Sequence, residues 1–193
     1  MANLSQIFPA ASSNNIIEMI ESPADGRSIQ AVSGTYVMEN AAVQALNNTY
    51  TDIVGSKINY TPPDGTKYIH YNFMWKMNPL NYSGLSHYRL YVAGVEVNEA
   101  FRTYSGSYYT SYSYNQHLMN IGYVFDLTAS SDNVAVGQFN GWSGAKEIVA
   151  KGRRYSSTYT TELHKNRWWD GTGSNSYTNY IYTSPILKIV SFK

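Results

Sequence analysis

The stretch from Thr66 to Met77, TKYIHYNFMWKM, constrains the fold more than any other part of the sequence. Large apolar residues occupy every second position, and the intervening residues form a second face. Because successive side chains of a β-strand point to opposite faces, this alternation predicts a strand laid over a hydrophobic core. The core-facing residues are Ile69, Tyr71, Phe73, Trp75 and Met77.

The same two-residue period predicts further strands. HYRLYVAGVEVNEAF reads as two strands joined by a tight hairpin at Ala93-Gly94, and MNIGYVFDL as a strand over residues 119–127. The loop SSDNVAVGQFNGWSG follows, and strands are expected again at 145–155 and 161–169.

The final segment, SPILKIVSF, is apolar on both faces. A strand of this kind is buried on both sides. In a two-layer sandwich this requires either a central position under a flanking arm or a subunit interface.

The fold predicted for residues 34–193 is an all-β jelly-roll sandwich of roughly eight to ten strands. Residues 1–33 are expected to form a short N-terminal arm. This arm contains either a helix capped by Asn15 and ended by Pro23, or an extended strand. In the helical alternative Ile16, Ile17 and Ile20 form its apolar face, and they are the candidates for anchoring the arm.

Composition excludes several functions. The chain has no cysteine, so disulfides, thiolate catalysis and cysteine metal sites are excluded. Its 14 Lys and Arg balance 13 Asp and Glu without a basic stripe, which disfavours nucleic acid as a partner. No apolar run reaches the roughly 20 residues of a membrane helix, so membrane insertion is not expected.

Motifs for catalysis or cofactors are lacking. The four histidines have no metal-ligand spacing, and His70 and His164 are expected to face water. GWSGA at 141–145 lacks the final glycine of a nucleophile elbow. We therefore expect a non-enzymatic protein with no cofactor, no metal and no catalytic residue; a polysaccharide-cleaving enzyme is the less favoured alternative.

Tyrosine is the compositional anomaly, with 19 in 193 residues. FRTYSGSYYTSYSYNQH, residues 101–117, interleaves five of them with small polar residues, which is typical of a contact loop. The adjacent tryptophans of RWWDG must point to opposite faces if they lie on a strand, so one is left outward. The contact candidates are Tyr104, Tyr108, Tyr109, Tyr112, Tyr114, Trp168 and Trp169.

Two resemblances extend these expectations. YTPPDGTKYIHYNFMW, HYRLYVAGVEV, IGYVFDL, AKEIVAKGRRY and SPILKIVSF resemble the strands of trimeric jelly rolls of the tumour necrosis factor and complement globular-head type. NNIIEMIESPADGRSI, YTDIVGSKINYTPPDGTKYI, SHYRLYVAGVEV and the AKEI…ELH…WWDG run resemble uncharacterised virion proteins of marine bacteriophages, particularly those of picocyanobacteria.

The resemblance implies a virion structural protein: a capsid decoration, head-fibre or tail-associated component that assembles as a homotrimer with other virion proteins as partners. Its expected localisation is the virion. The alternative is a glycan- or receptor-binding module at a fibre tip, in which the tyrosine-rich tract and a tryptophan contact a host surface glycan.

Overall fold

A computed structural model describes residues 15–79, 84–105, 117–167 and 180–193 of the chain. These residues form β-strands and a short 3-10 helix at Val134–Val136, which confirms the all-β class. The strands are β1 (Ile16–Pro23), β2 (Ser28–Ala31), β3 (Gly34–Val37), β4 (Gln44–Ala45), β5 (Thr51–Asp52), β6 (Ile58–Tyr60), β7 (Tyr68–Pro79), β8 (Ser86–Val92), β9 (Val95–Tyr104), β10 (His117–Asp126), β11 (Thr128–Asn133), β12 (Gln138–Asn140), β13 (Lys146–Arg154), β14 (Thr161–Leu163), β15 (Lys165–Arg167), β16 (Tyr180–Tyr182) and β17 (Ile186–Phe192).

The larger sheet has eight strands in the order β1-β17-β7-β10-β12-β11, with β14 also pairing to β7 and β4 to β14. Strand β7 lies near its centre and pairs antiparallel with β17 on one side and β10 on the other. The alternation predicted for β7 is confirmed, because all five of its predicted core residues are fully buried. Each such burial contributes about 1.5–3 kcal/mol to stability.

The smaller sheet has five strands, in the order β5-β13-β8-β9 with β6 pairing to β13. The Ala93-Gly94 hairpin is confirmed as a two-residue turn in which both residues have positive φ. The two sheets share one core: the rings of Trp75 and Tyr88 lie 5.0 Å apart, and the Tyr71 hydroxyl donates to the Ser56 carbonyl at 2.6 Å. The chain is therefore a β-sandwich.

Strand β17 is buried on both faces, as its sequence predicts. Leu187 and Ile189 face the core, and Val190, on the opposite face, is also buried. The strand lies between β1 and β7, so β1 flanks it directly.

The segment Ile16–Pro23 forms a strand, the extended one of the two alternatives. Ile20 lies in the core, whereas Ile16 is exposed and Ile17 half-buried, because the pairing of β1 with β17 shifts register between Ile16 and Glu18 and takes Ile16 off the face of Ile20. Part of the expected arm is thus integral to the sandwich.

The structure contains more strands than the roughly eight to ten expected from the spacing. The additional ones are short, such as β4 and β5 with two residues each, and too short to generate a visible alternation. The predicted loop SSDNVAVGQFNGWSG contains β11, the 3-10 helix and β12. The jelly-roll connection order stays a prediction.

Candidate functional site

Of the predicted contact residues, Tyr104 lies at the end of β9. It is half-buried, and its hydroxyl lies 2.6 Å from Nε2 of His117, the first residue of β10. The two rings pack with their centroids 4.5 Å apart. Tyr108, Tyr109, Tyr112, Tyr114, Trp168 and Trp169 lie outside the described residues, so their contact role stays a prediction.

The outward side of the five-stranded sheet carries a dense set of aromatic and charged side chains. We call this surface the polar-aromatic face. It arises from strand alternation, because the core-facing residues of β8 and β13 are interleaved with outward residues. Its members are Tyr50, Asp52, His87, Arg89, Tyr91, Glu96, Phe101, Thr103, Lys151 and Arg153.

Strand register arranges these residues in rows across the sheet. One row runs Asp52, Lys151, Arg89 and Phe101 over four strands. The next runs Arg153, His87 and Thr103, and Tyr50, just before β5, lies beside Arg153. A third pairs Tyr91 with Glu96. At about 4.8 Å per strand, four strands give a surface about 15 Å wide.

A β-bulge positions Phe101. The pairing of β8 with β9 jumps from Leu90–Val97 to Arg89–Phe101, so three residues of β9 have no opposite partner. Ala100 is buried within this bulge, and Phe101 is turned outward, where half of its surface is exposed. Bulges commonly re-aim a side chain beside a functional site.

Ion pairs join the charged residues of this face. Arg89 forms an ion pair with Glu96. The Asp52 carboxylate forms ion pairs with the ammonium groups of Lys57 at 2.8 Å and Lys151 at 3.3 Å. Burial alone would raise the pKa of Asp52, but the hydrogen bonds from the two lysines outweigh it and hold this pKa below its usual value. The carboxylate is therefore ionised at neutral pH.

Cations also stack on the aromatic rings. Lys151 lies 4.9 Å from the centre of the Tyr91 ring, Arg89 5.6 Å from Phe101, and Arg153 5.3 Å from Tyr50. Cation–π contacts at this range are attractive. The aromatic and charged side chains therefore hold one another in place.

His87 lies among these cations. Burial lowers the pKa of His87, and the charges of Arg153 and Arg89 lower it further. The ring is therefore neutral at pH 7 and presents one donor and one acceptor.

The outward side of the eight-stranded sheet carries a second set of largely apolar side chains. Register places Met19, Val190, His70 and Val124 in one row, and Ile16, Phe192 and Tyr68 in the next. Ile16, Met19 and Val124 are more than half exposed, whereas Val190 is buried. We call these seven residues the apolar face.

A buried carboxylate ties the N-terminal strand to the hairpin β2–β3. Glu18 is 5% exposed and accepts hydrogen bonds from the Ser33 amide at 2.7 Å, the Ser33 hydroxyl at 2.7 Å and the Tyr60 hydroxyl at 2.8 Å. Burial raises the pKa of Tyr60 above its usual range. This network is structural, because three donors enclose the carboxylate.

His164 is fully buried, so the expectation that it faces water is wrong. It separates β14 from β15 with a left-handed backbone at φ 61°, which interrupts the alternation on which that expectation rested. Neither ring nitrogen makes a hydrogen bond of normal geometry with the described residues, although the Val54 backbone lies close enough to influence the ring. Burial lowers the pKa of His164 to about 4.

Among the described residues, Asp126 and Glu147 are not placed as a glycosidase-like pair. Asp126 lies on β10 of the larger sheet and accepts from Thr128, whereas Glu147 lies on β13 of the smaller one. Within the described ranges, no group of three or more His, Asp or Glu side chains is placed to hold a metal ion. No helix in those ranges is long and apolar enough to cross a membrane.

No protein-family profile and no curated protein matches the sequence. Among solved structures, the chain is similar to the EclA C-terminal domain, described as a sugar-binding protein, at 9% identity and a TM-score of 0.29. The match covers 80% of this chain and 82% of that one. Similarity at this level carries no argument, so the site rests on its own geometry.

The polar-aromatic face was not predicted from the sequence. Its signal is present in the outward positions of two strands, His87, Arg89 and Tyr91 on β8 and Lys151 and Arg153 on β13. Which of these residues are neighbours depends on the pairing of strands about 60 residues apart.

Proposed function

We propose that this protein is a non-enzymatic glycan-binding β-sandwich and that the polar-aromatic face receives the sugar. The observation that carries the proposal is the half-exposed Phe101 ring beside the Arg89–Glu96 ion pair on an open sheet surface. A sugar ring has an apolar C–H face that packs on an aromatic ring. Its hydroxyls hydrogen-bond to guanidinium and carboxylate groups around that ring.

The side chains of the polar-aromatic face are held in place in the absence of a ligand, which supports this role. Arg89 is held by Tyr50, Glu96 and the Phe101 ring, and Lys151 by Asp52 and the Tyr91 ring. Ordering a long side chain on binding costs about 0.5–1.5 kcal/mol. Side chains that are already fixed avoid much of this cost, so weak individual contacts suffice.

The tyrosine-rich tract follows the strand that carries part of the proposed surface. Strand β9 carries Phe101 and ends at Tyr104, and the tract follows directly in the sequence. We propose Tyr108, Tyr109, Tyr112 and Tyr114 as further sugar contacts, with Trp168 or Trp169 in the same role.

A glycan array that prints neutral and acidic oligosaccharides tests the proposal. We expect binding to a subset of glycans and a loss of about 2- to 13-fold in Phe101→Ala, since ring stacking is worth about 0.5–1.5 kcal/mol. Val37→Ala is the matched control, because Val37 is exposed on β3, away from the face. Equal binding by the two variants, or no binding by the natural chain, contradicts the proposal.

A second function, that of a homotrimeric virion structural component, is favoured by the apolar face. Ile16, Met19 and Val124 are apolar and each more than half exposed, and a cluster of exposed apolar residues is typical of interfaces. A second copy of the chain is the occupant that we propose, because the adjacent Glu21–Lys188 pair, at 2.9 Å, offers both signs of charge at the rim. Host attachment through the polar-aromatic face is compatible with this assembly, since the two faces lie on opposite sheets.

A further inference from the structure

Arg153 differs from the other cations of the polar-aromatic face. Lys57, Lys151 and Arg89 each pair with Asp52 or Glu96. No carboxylate among the described residues pairs with Arg153, and its Nε is buried without a hydrogen-bond acceptor there. A half-buried cation that no carboxylate neutralises is a suitable site for an anionic ligand.

The surroundings of Arg153 hold its charge in place without neutralising it. The guanidinium stacks on Tyr50, opposite His87, which is neutral at pH 7. Thr103 completes the row, and its hydroxyl lies 3.4 Å from Nδ1 of His87. Arg153, Tyr50 and His87 thus form a subsite with one net positive charge.

We propose that this subsite receives the acidic group of an anionic saccharide, a carboxylate or a sulfate ester, on the guanidinium of Arg153. The inference rests on the proposed glycan-binding function and specifies its substrate class. A guanidinium binds a planar carboxylate or a sulfate through two parallel hydrogen bonds, which suits Arg153 better than a hydroxyl would. The neighbouring sugar rings then lie over Phe101 and Tyr91, in the next rows of the sheet.

A single acidic group fits this geometry better than a polyanionic backbone. Asp52 lies in the adjacent row and Glu96 in the row beyond it, and a chain of closely spaced negative charges would meet both. Nucleic-acid binding, by contrast, depends on several phosphate contacts at once. The subsite therefore selects for one charge at one position of a saccharide.

The test uses four trisaccharide probes that carry one acidic group or none: a galactotriose ending in a single galacturonate, its carboxyl-reduced counterpart, a galactotriose with a single sulfate ester and its desulfated counterpart. Affinities are measured by isothermal calorimetry on the full chain at low salt. We expect at least one acidic probe to bind about 10- to 100-fold more tightly than its neutral counterpart, the range for a charge-assisted hydrogen bond. The probe that shows the preference distinguishes carboxylate from sulfate.

The variant Arg153→Gln should remove this preference while retaining the affinity for the neutral counterpart. Arg154→Gln is the matched control, because the adjacent Arg154 donates to Asn48 at 2.8 Å and is not part of the face. Arg153→Lys keeps the positive charge but lacks the planar guanidinium that donates two parallel hydrogen bonds. It should therefore show only part of the preference of the natural chain for acidic probes. Circular dichroism verifies that each variant is folded.

Equal affinities for acidic and neutral probes overturn the inference and leave the glycan-binding function standing. A preference that persists in Arg153→Gln also overturns it, because the acid is then recognised elsewhere. If none of the four probes binds, the inference fails, and the glycan array decides separately whether the proposed function fails with it.

Discussion

The Nε of Arg89 donates a 3.1 Å hydrogen bond to the Tyr50 hydroxyl, which joins the start of β5 to β8 across the intervening strand β13. This hydrogen bond raises the pKa of Arg89 further above its already high value. It also fixes Arg89 beside Phe101, at the centre of the polar-aromatic face. The face is therefore a connected set of side chains.

Tyr50→Phe tests whether this connection matters for binding. The substitution keeps the ring under Arg153 and removes only the acceptor of Arg89. The donor is a charged guanidinium, so this hydrogen bond is worth about 1.5–3 kcal/mol, and we expect at least roughly fivefold weaker glycan binding by calorimetry. The thermal unfolding midpoint should change little, because Tyr50 is only half-buried. Unchanged affinity would show that Arg89 needs no such support.

Tyr60→Phe tests the buried carboxylate of Glu18. The hydrogen bond from Tyr60 to this carboxylate is charge-assisted, so its loss should lower the free energy of unfolding by about 1.5–3 kcal/mol in urea titrations. Tyr71→Phe is the comparison. Its hydroxyl donates to the Ser56 carbonyl at 2.6 Å, and loss of this neutral bond should cost about 1 kcal/mol. A smaller effect for Tyr60→Phe than for Tyr71→Phe would contradict this assignment.

His164 should make stability depend on pH. Its folded-state pKa of about 4 lies below the unfolded value, so the unfolded chain binds the proton first as the pH falls. We expect the free energy of unfolding to decline between about pH 6.5 and pH 4, with His164 accounting for about 3 kcal/mol. Urea titrations across this range measure the slope.

The control for this slope is His164→Asn. Asparagine tolerates the left-handed backbone and does not titrate. The difference between the two slopes isolates His164 from His70, His87 and His117, whose pKa values burial also lowers. Identical slopes would mean that the pKa of His164 is the same in the folded and the unfolded chain.

Val124→Lys tests self-association through the apolar face. Val124 is more than half exposed, so the lysine should leave the fold intact while placing a charge in the interface. We expect the natural chain to sediment as a trimer at micromolar concentration and the variant as a monomer. Val37→Lys, on an exposed position elsewhere, should remain trimeric. A monomeric natural chain would refute the trimer outright.

The sequence predicts the long strands well because their alternation is a local property. In β7 and β8, side-chain burial follows the period of two, and the turn at Ala93-Gly94 follows from its residues. The two-faced burial of β17 was predicted for the same reason. A break in the alternation cannot be predicted in this way. The positive φ at His164 reverses the face of the residues that follow, and no residue type in ELHK indicates it.

The candidate site was harder to predict because it depends on pairing between distant strands. Tyr50 and Arg153 are about 100 residues apart in sequence, and only the positions of β5 and β13 in one sheet bring them together. The bulge that turns Phe101 outward also has no local signature: strict alternation would have placed Phe101 with Val95 and Val97 on one face. Most of the predicted contact residues lie outside the described ranges.

Chemical-shift mapping tests the central claim most directly. A glycan identified on the array is titrated into the isotope-labelled natural chain, and the backbone amide shifts are followed by NMR. The account predicts that the shifts concentrate on the outward residues of β8, β9 and β13, around Arg89, Phe101 and Arg153. Shifts confined to the outward side of the eight-stranded sheet, around Met19 and Val124, would contradict it.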